Sequence, residues 1–164
     1  MSDAAARAIP AVTLAPMTPE IYDAWVGRTI AEYAEEHVQA GNWAREGSLD
    51  RARAQFEELL PDGLATADQH LWSIRDPEGR GVGILWVGPR PRVERALFIW
   101  DIAIEPAQRG RGLGQAALEA LHAWAREQGY ERVNLHVFGS NEVARRLYRR
   151  TGYVETDVQM EKRL

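Results

Sequence analysis

Arg109-Gly110-Arg111-Gly112-Leu113-Gly114 is the stretch of this chain whose composition most directly suggests chemistry. Three glycines at alternate positions let the backbone turn its N–H groups toward a common point. A helix-patterned segment follows, adding unpaired N–H groups and the positive end of its dipole. Two arginines add full charges, so a phosphate-rich ligand is the natural occupant; the competing reading is a tight turn with a solvated basic edge. A Walker A loop is excluded, because the only lysine in the chain is Lys162. Gly112-Leu113-Gly114-Gln115-Ala116-Ala117 fits the dinucleotide fingerprint in letters alone. The preceding strand ends too early, and no second strand ends in an acid about 20 residues later.

Other residues can move protons. Asp101 interrupts the apolar run from Ala96 to Ile104. Its parity is opposite to that of Phe98, so on a regular strand it points away from the face Phe98 occupies, unless a bulge intervenes. A buried strand aspartate seldom lacks a role or a partner. His136 shares parity with Asn134 and Phe138 and has the pKa class of a base, although it also fits a satisfied core histidine. Glu105 closes the apolar run. There is no cysteine, which excludes disulfides, thiolate nucleophiles and cysteine-ligated metals.

The elements that must position these residues follow from periodicity. Val12 to Leu14 predicts a short strand, and residues 1–9 a loose tail. Thr18 is placed to cap a helix that starts at Pro19 and runs to about His37, with Ile21, Trp25, Ile30 and Tyr33 at near-helical spacing. Ser48 is placed to cap a second helix, ended by Pro61-Asp62-Gly63. Gln69–Ile74 and Gly81–Val87 predict a hairpin, with Val82, Ile84 and Trp86 on one face and Leu85 and Val87 on the other. The run from Arg95 to Ile104 adds a long central strand. Ala117, Leu118, Leu121, Trp124 and Ala125 form the apolar stripe of a helix capped at Gly129. Arg132–Phe138 alternates as a strand. Ser140 is placed to cap a short helix from Asn141 to Arg150, and a last strand, Val154–Lys162, closes the chain. The strand–loop–helix–strand unit is a right-handed crossover with parallel strands. The expected fold is α/β: a mixed, largely antiparallel central sheet with helices on both faces, forming one domain over residues 1–164.

Composition sets the outer bounds. At 164 residues and 45% hydrophobic content the chain is of ordinary globular type. The net charge of −4 gives no sign of nucleic-acid binding. Charge is uneven: residues 1–75 carry 12 acids and 6 bases, and residues 76–164 carry 12 acids and 14 bases. The basic half holds the glycine loop. The acidic half suits either a cationic amine or a solvated helix face. No apolar run is long enough for a membrane span, and no secretory signal is visible, so the expected location is cytoplasmic with no membrane partner.

Arg109, Gly112 and Gly114 also meet a third pattern, Gln/Arg-x-x-Gly-x-Gly/Ala. Asn141-Glu142-Val143-Ala144-Arg145-Arg146-Leu147-Tyr148, followed by Gly152-Tyr153, meets Asn-x-x-Ala-x-x-x-Tyr…Gly-Phe/Tyr. In this order, one helix and one strand apart, the two motifs resemble those of the GNAT superfamily of N-acetyltransferases, from about Val12 to the end. Ala31-Glu32-Tyr33-Ala34-Glu35, Gly41-Asn42-Trp43, Leu60-Pro61-Asp62-Gly63-Leu64 and His70-Leu71-Trp72 are similar to features of a group of small bacterial members.

The resemblance implies acetyl-CoA as acyl donor, with no metal. Backbone groups of Ile102, Ala103 and Ile104 would pair with the pantetheine arm, in a gap where the two parallel strands splay. N–H groups of Gly110, Arg111, Gly112, Leu113, Gly114 and Gln115 would bind the pyrophosphate, with Arg109 and Arg111 either assisting or solvated. Asn141 would touch the cofactor arm or serve only as a helix-terminal amide. Tyr148 would stand by the thioester sulfur as general acid, or pack as an ordinary aromatic. A backbone N–H at Ile102 to Ala103 would steady the oxyanion. Some members carry a glutamate near the position of Phe98; this chain does not, which leaves Asp101, His136, Glu105 or a water chain as base. The expected activity is transfer of an acetyl group to a primary amine of a small molecule or a protein/peptide, in a ternary complex, by a monomer or homodimer. A non-catalytic acyl-CoA-binding module is the alternative, and a nucleotide-binding oxidoreductase fits less well.

Overall fold

The computed structural model describes residues 9–164, so the expected tail, apart from Ile9, lies outside the described residues. Five strands form one sheet in the order β1-β2-β3-β4-β5. They are β1 (Thr13–Pro16), β2 (His70–Arg75), β3 (Gly81–Pro89), β4 (Ala96–Ile104) and β5 (Arg132–Leu135). The first three junctions are antiparallel and β4–β5 is parallel. Helices α1 (Pro19–Gln39) and α2 (Ser48–Leu59) precede the hairpin; α3 (Leu113–Glu127) and α4 (Glu142–Arg150) follow β4 and β5. The mixed sheet with helices on both faces is as the sequence predicts.

Two cores flank the sheet. On one face Leu85, Val87, Leu97 and Ile99 pack against Leu113, Ala117, Leu118 and Leu121 of α3. On the other, Ile84 and Trp86 pack with Trp25 of α1 and Phe56 of α2. Leu85, Leu118 and Leu121 are fully buried, as the α3 stripe requires. The Thr18 side chain accepts from the Ile21 N–H at 3.4 Å, so the expected cap of α1 forms.

Several local expectations are corrected. Gly47, at φ 76°, occupies the N-cap of α2, and Ser48 bonds back to the Arg45 carbonyl instead. Asn141, not Ser140, caps α4. The register shifts between Ile74 and Arg75, skipping Val82, which therefore joins Leu85 and Val87 rather than Ile84 and Trp86. β5 ends at Leu135 rather than Phe138, and the predicted last strand Val154–Lys162 lies outside the sheet, exposed throughout. A second shift concerns the site. Trp86 pairs with Asp101 but Val87 pairs with Ile99, so Trp100 is an extra residue on β4.

Candidate active site

The bulge at Trp100 inverts the parity of everything after it. Before it, Leu97 and Ile99 face α3; after it, Ile102 and Ile104 do. Trp100 and Ala103 pack on the α1/α2 side. Asp101 therefore turns to the α1/α2 side, where its Oδ2 accepts the Trp25 indole N–H at 2.9 Å. The exception to simple alternation is realised, and it brings a carboxyl into the interior.

The same bulge stands where β4 and β5 part. Ile99–Leu135 is their last paired position, while β4 continues beside β3 to Ile104. The Glu105 N–H donates to the Val82 carbonyl at 2.9 Å. Antiparallel alternation then turns the backbone groups of Ala103 toward β3 and those of Ile102 and Ile104 toward the open gap. Gly83 is the close approach that seats this ladder: a Cβ there would lie 2.3 Å from the Ala103 carbonyl oxygen. Of the three backbone positions named from sequence, Ile102 and Ile104 face the gap and Ala103 does not.

Beyond β4, a 3-10 turn (Pro106–Gln108) leads into the glycine loop. Gly110 and Gly112 take left-handed conformations, φ 74° and 83°. Gly112 is the N-cap of α3 and offers no side-chain oxygen to the first turn. Among the described residues, the N–H groups of Gly110, Arg111, Gly112, Leu113, Gly114 and Gln115 donate to no protein acceptor. Six such donors at a helix N-terminus fit an oxyanion group. Arg109 Nε donates to the Ile104 carbonyl at 3.0 Å, fixing the loop to the strand end, and Arg111 bonds Gln108. Both guanidinium groups are thus engaged inside the loop. Gly114 lets α4 dock, since a Cβ there would lie 3.1 Å from Leu147 Cδ2.

On α4, the Asn141 Oδ1 accepts the Ala144 N–H at 3.1 Å, so its amide is used as a cap. Tyr148 packs against Tyr153, ring centres 5.6 Å apart. Burial, and after it the charge of Asp101, pushes the Tyr148 hydroxyl up to about 12. Tyr148 itself packs against the α3-side core. Burial also raises the Asp101 carboxyl above the usual carboxylate range; the Trp25 N–H partly opposes this. His136 packs edge-on to Phe138, and Glu105 is exposed at the start of the 3-10 turn. Neither lines the cavity that Asp101 faces.

That cavity, about 400 Å³, lies between α1, α2 and the β3/β4 strands. Trp86, Trp100 and Asp101 form its strand side; Glu32 and Glu36 of α1 and Glu58 of α2 supply further carboxyls. Its lining contains no lysine, arginine or histidine. Burial, then the charges of Asp101 and Glu32, raises Glu36. Two buried polar atoms lack partners among the described residues at this end of the sheet: Trp100 Nε1 on β4 and Asn134 Oδ1 on β5. Sequence reasoning did not single out Glu32, Glu36, Glu58 or Asn134 as site residues. A signal existed for two of them: Glu32 and Glu36 are a like-charge i, i+4 pair, which costs a helix several tenths of a kcal/mol unless something compensates. Among the described residues no group of three or more His, Asp or Glu is arranged to hold a metal ion, and no helix is long and apolar enough to cross a membrane.

Known proteins resemble this chain over most of its length. The uncharacterized N-acetyltransferase YycN of Bacillus subtilis is 40% identical over 93% of this chain and 99% of its own length. YdgE, an uncharacterized N-acetyltransferase of the same organism, is 34% identical over 94% of this chain and 99% of its own. The crystal structure of YycN superposes with a TM-score of 0.87, covering 94% of this chain and 99% of that one. At 14% identity and a TM-score of 0.56, the fold is also that of AAC(6')-Iy, solved with the bisubstrate analog CoA-S-monomethyl-acetylneamine. The model of the acetyltransferase (GNAT) family matches residues 32–153, which include the glycine loop, the bulged strand and α4. The chain is an acetyltransferase and belongs to the GNAT family.

Proposed function

We propose that this enzyme transfers an acetyl group from acetyl-CoA to a primary amine by direct attack in a ternary complex. The observation that carries the reading is the cavity on the α1/α2 side of β4, lined by the carboxyls of Asp101, Glu32, Glu36 and Glu58. Acetyl-CoA supplies the thioester. The residues that would hold it are the free N–H groups from Gly110 to Gln115, for the pyrophosphate, and the backbone of Ile102 and Ile104, for the pantetheine arm. The cavity on the other side of β4 takes the acceptor.

Glu32, Glu36 and Glu58 attract a cationic amine, and the aromatic floor of Trp86 and Trp100 fits its carbon stem. To attack, the amine must be neutral. Asp101 is the candidate to accept its proton, directly or through water. The Ile102 N–H, rather than that of Ala103, is the backbone donor available to the oxyanion. Tyr148 keeps its proton at any physiological pH, so it is fit to donate to the departing thiolate. No covalent enzyme intermediate is needed, which accords with a chain lacking cysteine.

Calorimetric titration with acetyl-CoA, with NADH for comparison, tests the cofactor assignment: saturable binding of acetyl-CoA alone is expected. A thiol-release screen over small amines and peptide amines then tests the acceptor class. The Tyr148→Phe enzyme should keep its acetyl-CoA affinity and lose about 10²-fold or more in turnover. Undiminished turnover at all pH values would remove Tyr148 as general acid.

A further inference from the structure

We propose that His122 is a positioning residue for Tyr148: through the hydroxyl of Tyr153 it ties the lightly held α4 to α3, and so fixes where the Tyr148 hydroxyl stands. The inference rests on the reading of Tyr148 as general acid.

Helix α4 needs such a tie. It has nine residues, none of them buried. It docks on α3 through Leu147, whose Cδ2 lies over Gly114 in the first turn of that helix. Among the described residues no side chain holds the Tyr148 hydroxyl, so ring packing gives it its direction. The one aromatic ring packed on Tyr148, among the described residues, is that of Tyr153, with centres 5.6 Å apart and planes 62° apart. The Tyr153 N–H also donates to the Tyr148 carbonyl at 3.0 Å. Whatever fixes Tyr153 therefore fixes the wall against which Tyr148 rests.

That fixed point is on α3. Leu118 and Ala125, one turn to either side of His122, are 0% and 2% exposed, so this part of the helix is rooted in the core. The His122 Nε2 stands 2.8 Å from the Tyr153 hydroxyl, with the two rings 5.5 Å apart. Burial, and after it Tyr148, raises the Tyr153 hydroxyl above the ordinary phenol range, so it keeps its proton. Burial, and after it Arg126, lowers His122 against the opposing pull of Glu119, which favours a neutral ring. The phenol then donates and Nε2 accepts, which puts the imidazole proton on Nδ1. Without that acceptor the Tyr153 hydroxyl turns to water and draws its ring off Tyr148. A displacement of about 1 Å at a reacting group costs on the order of 10²-fold in rate.

Thiol release from acetyl-CoA, with 1,4-diaminobutane as the probe amine, tests the kinetic side. His122→Leu should lower kcat about 10- to 100-fold and leave the KM for acetyl-CoA unchanged. His122→Gln, whose side-chain carbonyl can take the place of Nε2, should restore turnover. Tyr153→Phe should resemble His122→Leu, and the two changes together should cost no more than one. Placed in the Tyr148→Phe enzyme, His122→Leu should have no further effect. A readout independent of the amine is the NMR spectrum of ring-¹³C-labelled tyrosine, with the Tyr148 signal identified by its loss in Tyr148→Phe. That signal should move in His122→Leu and return in His122→Gln. An unmoved Tyr148 signal in His122→Leu overturns the proposal. So does an equal loss of turnover with and without the Tyr148 hydroxyl, which would mark His122 as a general support of the fold. Full turnover by Tyr148→Phe itself is a different failure: it removes the general acid, and this inference with it.

Discussion

Replacing Asp101 with Asn separates the charge of this group from its shape. An Asn Oδ1 can still accept the Trp25 indole N–H that Asp101 Oδ2 accepts at 2.9 Å. What disappears is a proton acceptor, and loss of a general base costs about 10²- to 10⁴-fold in rate. The acid limb of the pH–rate profile should vanish with it. Stability should move the other way. Burial raises the Asp101 pKa in the folded chain, so between the unfolded value of about 4 and the folded one the native state binds more protons. Wild-type stability therefore falls as pH rises through that window, and the Asn variant is spared the fall. The two proteins should melt together at about pH 4, the unfolded pKa, and the variant should melt higher at neutral pH. Asp101→Ala should behave differently, because it strands the N–H of Trp25, which is 2% exposed. An unsatisfied buried donor costs about 1–3 kcal/mol, a fall of about 2–12 °C in Tm for a chain of this length. Initial rates of thiol release across pH, with melting curves of both variants, check this. An Asn variant that keeps both the rate and the pH profile of the wild type would show that the base is elsewhere.

Two glycine substitutions test the cofactor side. Gly83→Ala puts a Cβ 2.3 Å from the Ala103 carbonyl oxygen and 3.0 Å from Ile104 Cδ1. The backbone must yield, at about 3 kcal/mol, so calorimetry should show Tm lower by about 6–12 °C and a weaker acetyl-CoA site as Ile104 shifts. Gly112→Ala forces a side chain to φ 83° and 3.2 Å from Pro10 Cδ. That costs about 1–2 kcal/mol, or about 2–8 °C, and acetyl-CoA affinity measured by titration should fall with it; an unchanged affinity would detach the loop from the pyrophosphate.

Features set by nearest neighbours were legible in the sequence. The α3 stripe and the Thr18 cap each depend on a few consecutive residues, and each stands where the sequence put it. Register against another strand is not written locally. Nothing in Ala96–Ile104 alone says that Trp100 will bulge, or that Val82 will join Leu85; both follow from how β2, β3 and β4 align. The cavity was missed for a related reason: its carboxyls come from three elements, and only their packing brings Glu58 near Asp101. Residues 154–162 are the reverse case. Their strand pattern is plain in the sequence, but a pattern does not name its partner, and within the subunit none is found.

The Trp100 bulge ties these observations to the chemistry. One inserted residue turns Asp101 from the α3 face to the α1/α2 face, next to the indole that holds it. It stands just past Ile99–Leu135, where β5 leaves β4, so the gap proposed for the thioester arm begins where the carboxyl enters the cavity. A regular strand would give one or the other: either Asp101 faces α3, away from any acceptor, or Leu97 and Ile99 lose their places in the α3-side core. The absence of a glutamate near Phe98 is therefore compatible with catalysis, because the bulge delivers a carboxyl to the same face three residues further along the strand.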